Sequence, residues 1–178
     1  MTRALAFSIA FSFCVIAASD SRVNAQNPLD RVYNLTADEQ RVVVDAINEG
    51  RSIQKILSAK GRTAEAEELA SILSNLERRT YSHAYRPLTD DAYAYVYSMI
   101  GLQTIHLKSK FFDLTKLENR ALPDLPLAEI QRKARLEQLS FLIHEWKHTQ
   151  YESFRDFGRP EEEAYRLQYR WLKIFGIT

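Results

Sequence analysis

Two stretches near the start of the chain repeat apolar residues at the three- and four-residue spacing of an amphipathic helix. The first follows Thr36, which forms a capping-box pattern with Glu39 and so marks a helix N-terminus. The second is expected to be capped by Thr63. We therefore predict an antiparallel helical pair over residues 36–80, with Gly50 as a break in its first helix.

The middle of the chain changes to a strand pattern. Residues 92–114 are rich in Tyr, Val, Ile and Phe, and residues 103–108 alternate apolar and polar side chains. A turn at Gly101 would complete a small antiparallel β element. A long helical pattern then begins at Leu127, and a last helix is expected to start at Pro160. The predicted fold is mainly α, in the α+β class.

Composition and charge narrow the class of protein. The 178 residues include 24 basic and 23 acidic side chains and are 46% hydrophobic, which excludes an intrinsically disordered chain. A net charge of +1 argues against a dedicated nucleic-acid-binding protein. One cysteine excludes a disulfide framework and a cysteine-based zinc site. The length suits one domain with a substantial core.

The first 25 residues have the layout of a secretory signal peptide. Arg3 precedes an apolar stretch over residues 4–18, and a Val-Asn-Ala sequence ends at Ala25. The apolar run is too short to span a membrane comfortably, so an uncleaved anchor is the less favoured alternative. We expect cleavage after Ala25 and a single cysteine-free domain over residues 26–178. This domain would be secreted or periplasmic in a bacterium, without stable membrane insertion.

The long helix carries the residues with the clearest chemistry. His144 and His148 are one helical turn apart on one face, which is the spacing that two ligands of one zinc ion need. Glu145, beside the first histidine, is placed to act on water at the metal rather than to bind the ion. The pattern is H-E-x-x-H, with an unusual charge at Lys147 that can point outward. Of the two other histidines, His83 is expected in a loop.

A catalytic zinc site needs a third protein ligand, and the acidic start of the last helix offers candidates. Glu161 shares a helix face with Ala164 and Trp171, which predicts that it faces the motif helix. Glu163 shares its face with two arginines and is expected in solvent. Glu161 is therefore the preferred third ligand over Glu162 and Glu163.

The interval between His148 and Glu161 is short, because only twelve residues separate them. If the motif helix continued for two more turns, Glu161 would lie more than a turn away along the axis. Glu161 can reach the metal only if the helix ends early, near Glu152. Otherwise Glu152, Asp156 or His106 would complete the site.

The H-E-x-x-H motif and the acidic residues that follow it resemble those of the zincin metallopeptidases. The resemblance is to the gluzincin-like branch, whose third ligand is a glutamate, and to small bacterial peptidase domains. In that branch a small residue follows the glutamate after three positions and a polar group after four. Ala164 and Tyr165 match these positions when Glu161 is the ligand.

The resemblance covers residues 92–175, within an expected catalytic part of the domain over residues 92–178. It implies an exported zinc-dependent peptidase or amide hydrolase in which Glu145 is the general base. It also implies that the strand at residues 103–108 is an edge strand running antiparallel to the substrate. Tyr151 and Tyr165 are candidate oxyanion donors. The expected partner is a peptide or protein, including cell-wall crosslinks.

Two alternatives to a peptidase stay open. One is a non-catalytic binding or structural protein on a zincin-like fold with a degenerate metal site. The other is a helical interaction module in which the motif is accidental. Metal content distinguishes the second alternative from the others, and chelator-sensitive activity distinguishes the enzyme from the non-catalytic protein.

Overall fold

The computed structural model describes residues 35–84, 93–99, 102–116, 124–150 and 159–177 of the chain. The expected signal peptide and its cleavage site lie outside the described residues. In chain order, the helices and strands are α1 (Ala37–Ala59), α2 (Thr63–Leu76), β1 (Thr80–His83), β2 (Ala94–Met99), β3 (Leu102–Leu107), α3 (Ser109–Phe112), α4 (Leu127–His148) and α5 (Arg159–Phe175). The fold is mainly α with one small sheet, as the sequence predicts.

The predicted helical pair is α1 and α2, and the two helices begin in different ways. At α1 the backbone N–H of Thr36 donates to Glu39 Oε2 at 2.8 Å, and the N–H of Glu39 donates to Thr36 Oγ1 at 3.3 Å. This confirms the capping box. The expected cap at Thr63 is wrong, because Thr63 is already helical and Arg62 occupies the N-cap position without a side-chain hydrogen bond. Gly61, at φ +73°, turns the chain just before this helix.

The expected break at Gly50 is also wrong, since α1 continues without interruption from Ala37 to Ala59. A Cβ atom on Gly50 would lie 2.7 Å from Leu139 Cδ2 and 2.8 Å from Leu73 Cδ2. The glycine therefore allows α1, α2 and α4 to approach closely. Glycine lowers helix stability by about 1 kcal/mol relative to alanine, and here the packing of three helices offsets that cost.

The sheet has three described strands in the order β1-β3-β2, with β1 parallel and β2 antiparallel to β3. The strand predicted at residues 103–108 exists as β3, but the expectation that it is an edge strand is wrong. β3 is the middle strand, because β1 pairs with the side of β3 that does not face β2. The last residue of β1 is His83, which therefore lies in a strand rather than in the expected loop. The expected turn at Gly101 falls outside the described residues.

Helix α4 is the central element, since it contacts α1, α2, α5, β2 and β3. One face of the sheet packs into the same core, where Tyr81 and Ile105 are fully buried. The α4 side chains buried in this core are Leu136, Leu139, Leu142 and Ile143. In the part of the chain that the structure describes, no helix combines the length and apolar character needed to cross a membrane.

Candidate metal centre

Helix α4 ends at His148, which meets the condition that the sequence set for Glu161 to approach the motif. Thr149 follows as the C-cap, and its hydroxyl donates to the carbonyl oxygen of Trp146 at 2.7 Å. The guanidinium of Arg79 donates to the same hydroxyl oxygen at 2.8 Å. These contacts hold the end of α4 one residue beyond the second histidine of the motif.

Three side chains from α4 and α5 meet at this point. The Nε2 atoms of His144 and His148 are 3.1 Å apart. Glu161 Oε2 lies 3.4 Å from His144 Nε2, and Glu161 Oε1 lies 3.3 Å from His148 Nε2. Two nitrogen atoms and one carboxylate thus face a common centre. The group could hold a metal ion, and it is the only such group of three or more ligands among the described residues.

The position of Glu161 follows from the buried face of α5. Ala164, Gln168 and Trp171 recur at spacings of four and three residues, and all three are buried. Glu161 precedes Ala164 by three residues and therefore emerges on the side of α5 that faces α4. The small side chain of Ala164 lets the two helices come close. The prediction that these residues share a face is confirmed.

The two neighbouring glutamates lie elsewhere. Glu162 forms an ion pair with Arg166 one turn along α5, at 2.5 Å. Glu163 is half-exposed and forms an ion pair with Lys147 at 3.1 Å. Lys147 thus reaches toward Glu163, so its charge does not obstruct the group formed by the two histidines and Glu161.

Burial sets the protonation state of the two histidines. It lowers the pKa of His144, and the positive charge of His148 lowers this pKa further, while Glu161 acts in the opposite direction. Burial likewise lowers the pKa of His148, against the opposing influence of Glu161. Both imidazoles are therefore neutral at neutral pH, which is the form that binds a metal ion.

Glu145 lies next to this group in an almost fully buried position. Burial raises its pKa to about 8, and the negative charge of Glu161 acts in the same direction. The backbone N–H of Val96 in β2 donates to the carboxylate and opposes the rise. Glu145 is thus a buried carboxyl group with a raised pKa between the histidine motif and β2.

Of the two candidate oxyanion donors, the structure describes Tyr165. The ring of Tyr165 lies edge-on to the ring of His144, with centroids 4.5 Å apart, and the side chain is half-exposed. Its pKa is raised by burial and by the charges of Glu161 and Glu145. Tyr151 lies outside the described residues. Tyr165 therefore borders the group, as its position after Glu161 suggested.

The alternative third ligands do not join this group where the structure describes them. His106 Nδ1 lies 2.7 Å from Ser82 Oγ, and its ring stacks on Tyr95 with centroids 4.8 Å apart. It is part of the sheet rather than of the centre on α4 and α5. Glu152 and Asp156 lie outside the described residues.

Two buried polar residues near the centre received no role from the sequence. Gln168 of α5 and Ser140 of α4 are both buried, and Gln168 Nε2 donates to Ser140 Oγ at 3.2 Å. Gln168 stands seven residues after Glu161, on the same face of the helix. The sequence feature that could have identified Gln168 is a polar side chain among the apolar positions of that helix face.

Comparison with known proteins does not identify a function for this site. No protein-family model matches the chain, and no curated protein or solved structure is significantly similar to it. The function must therefore be inferred from the geometry and chemistry of the group itself.

Proposed function

We propose that the chain is a zinc-dependent hydrolase of peptide or other amide bonds, with Glu145 as the general base. The observation that carries the proposal is the convergence of His144, His148 and Glu161 beside a buried glutamate. Two consecutive helices, α4 and α5, supply these groups, and a scattered set of surface charges would not converge in this way.

The donor spacing supports zinc as the ion. Zinc bound tetrahedrally at 2.0–2.1 Å has ligand atoms about 3.3 Å apart. The three separations between the donor atoms of His144, His148 and Glu161 are 3.1, 3.3 and 3.4 Å. Three protein ligands leave a fourth position for water or substrate, as in catalytic rather than structural zinc sites.

The reaction assigns a separate task to Glu145. Zinc supplies a Lewis acid that activates water and polarises a carbonyl group. A cation held by the neighbouring ligands favours the ionised form of the Glu145 carboxyl. Glu145 can then accept a proton from the attacking water and deliver it to the nitrogen of the leaving amine. Tyr165, which borders His144, is a candidate to donate a hydrogen bond to the developing oxyanion.

The sheet supports a peptide as the substrate class. β2 is one of the two outer strands among the three described strands, and Val96 within it contacts Glu145. An outer strand offers backbone groups with which an extended peptide can pair. In a zincin-like arrangement, β2 rather than β3 would therefore align the substrate. We include cell-wall crosslinks among the amide bonds considered, and an exported location remains part of the proposal.

One observation favours the non-catalytic alternative. Glu161 is half-exposed, and its contacts with the Nε2 atoms of His144 and His148 give the group internal partners without a metal ion. A protein with this site could bind metal weakly, or only for stability.

Metal analysis and a chelator test distinguish the proposed enzyme from this alternative. The purified chain should contain one equivalent of zinc, and a mixed peptide library should show cleavage that a chelator abolishes and added zinc restores. Zinc without cleavage of peptides or cell-wall fragments would support the non-catalytic protein. A chain that does not bind zinc would contradict both.

A further inference from the structure

The ring nitrogen Nδ1 of His144, which does not face His148 or Glu161, indicates a further functional residue. His144 Nδ1 is buried and has no hydrogen-bond partner within the described part of the chain. Buried polar groups in native proteins almost always have a partner. The side chain of Gln168 lies beside this ring, because it contacts Ser140, which stands one turn before His144 on the same face of α4.

The orientation of the Gln168 amide follows from its other contact. Ser140 Oγ donates to the carbonyl oxygen of Glu137 at 2.7 Å. Because that bond uses the only hydroxyl proton, Ser140 Oγ can only accept from Gln168 Nε2, which lies 3.2 Å away. The NH₂ group of Gln168 is thereby directed to Ser140. Its carbonyl oxygen Oε1 remains for the ring of His144.

We propose that Gln168 is a positioning residue for His144: its Oε1 accepts the proton on Nδ1 and so directs the lone pair of Nε2 toward His148 and Glu161. An imidazole that donates from one nitrogen has a fixed tautomer and ring orientation, and the other nitrogen becomes a better ligand. Ser140 contributes by holding the amide in the required orientation. The inference rests on the metal-binding part of the proposed function.

Zinc affinity of the full chain provides the first test. Partners that orient a metal-binding histidine typically change affinity by about 10–100-fold. Gln168→Met, which keeps the shape but removes the acceptor, should weaken zinc binding by that factor in a competition titration. Gln168→Glu should restore it, since a carboxylate also accepts from Nδ1. The matched control is Gln138→Met, because Gln138 is equally buried on α4 but donates to the carbonyl oxygen of Phe111 at 2.8 Å.

Unchanged zinc affinity in Gln168→Met would overturn the inference, as would a Gln168→Glu variant that binds as weakly as Gln168→Met. A second measurement does not require the variant to fold or the metal to bind. In nitrogen-15 NMR spectra of the metal-free wild-type chain, neutral His144 should carry its proton on Nδ1. A proton on Nε2 would contradict the role of Gln168. A wild-type chain that shows the Nδ1 proton but no zinc binding would refute the hydrolase and keep the assignment of Gln168.

Discussion

The four histidines of the chain form two pairs with different contacts. In α4, His144 and His148 share one carboxylate, that of Glu161, and their Nε2 atoms are 3.1 Å apart. In the sheet, His83 and His106 lie in neighbouring strands, but each has a polar partner of its own. His83 Nε2 lies 2.7 Å from Glu39 Oε1, and His106 Nδ1 lies 2.7 Å from Ser82 Oγ.

The difference shows that convergence, rather than residue type or burial, distinguishes a candidate ligand. A histidine with its own polar partner does not need a metal ion to satisfy its ring nitrogen, and both sheet histidines have such a partner. The pair on α4 directs two nitrogen atoms and a carboxylate at one point, where a shared cation would stabilise all three. Substitutions at each pair test this difference.

Removal of either α4 histidine should abolish stoichiometric zinc. His144→Ala and His148→Ala each leave only two of the three ligands, so metal analysis after dialysis should find almost no zinc. The sheet variants His83→Ala and His106→Ala should retain a full equivalent. If the sheet variants lost the metal and the α4 variants kept it, the site would be assigned to the wrong pair.

Glu145→Gln should separate chemistry from binding at the α4 pair. The amide keeps the shape of the side chain but cannot take a proton from water, so hydrolysis should fall by about 10²–10⁴-fold. Zinc content should stay at one equivalent, because Glu145 is not in the ligand group. Turnover measured on a cleaved peptide provides the test, and an undiminished rate would show that another group is the base.

The carboxylate shared by the α4 pair should be Glu161 alone. Glu161→Ala should weaken zinc binding by more than about 100-fold, since loss of a ligand costs more than loss of an orienting partner. Glu163→Ala provides the matched control, because it removes a half-exposed glutamate of the same turn that forms an ion pair with Lys147. The opposite ranking in a zinc competition assay would place the ligand on the other face of α5.

Much of this centre could be predicted because it depends on local helix geometry. The spacing of His144 and His148, and the face shared by Glu161 and Ala164, follow from the 3.6-residue repeat alone. From the sequence, an early end of α4 could be stated only as a condition for Glu161 to reach the metal. It depends on the cap at Thr149, whose hydroxyl receives a hydrogen bond from Arg79, seventy residues earlier in the chain.

What could not be predicted depends on contacts between distant segments. The sequence marks Gly50 as a helix breaker, yet Leu73 and Leu139 approach it from two other helices. The middle position of β3 depends on β1, a strand of only four residues with no clear alternation. The role inferred for Gln168 likewise requires knowing that Ser140 lies opposite it, which only the packing of α5 on α4 reveals.

The smallest expected effect concerns the sheet pair, where His83 should support stability rather than metal binding. Burial opposes ionisation of Glu39, but hydrogen bonds from Thr36 and contact with His83 outweigh it and hold the pKa of Glu39 below its ordinary value of 4.5. A carboxyl with a lowered pKa stabilises the folded state above pH 4.5, and this contribution is lost as the pH falls through the lowered pKa.

Glu39→Gln should therefore reduce the free energy of unfolding by about 1 kcal/mol near neutral pH, since it weakens both the capping box and the contact with His83. Urea unfolding should show that the difference from the wild-type chain disappears at acidic pH. Asp38→Asn serves as the control, because Asp38 is exposed in the same first turn of α1 and pairs with Arg41 instead. Zinc content should not change in either variant. A pH-independent loss of stability in Glu39→Gln would show that the ionised carboxylate does not contribute to the fold.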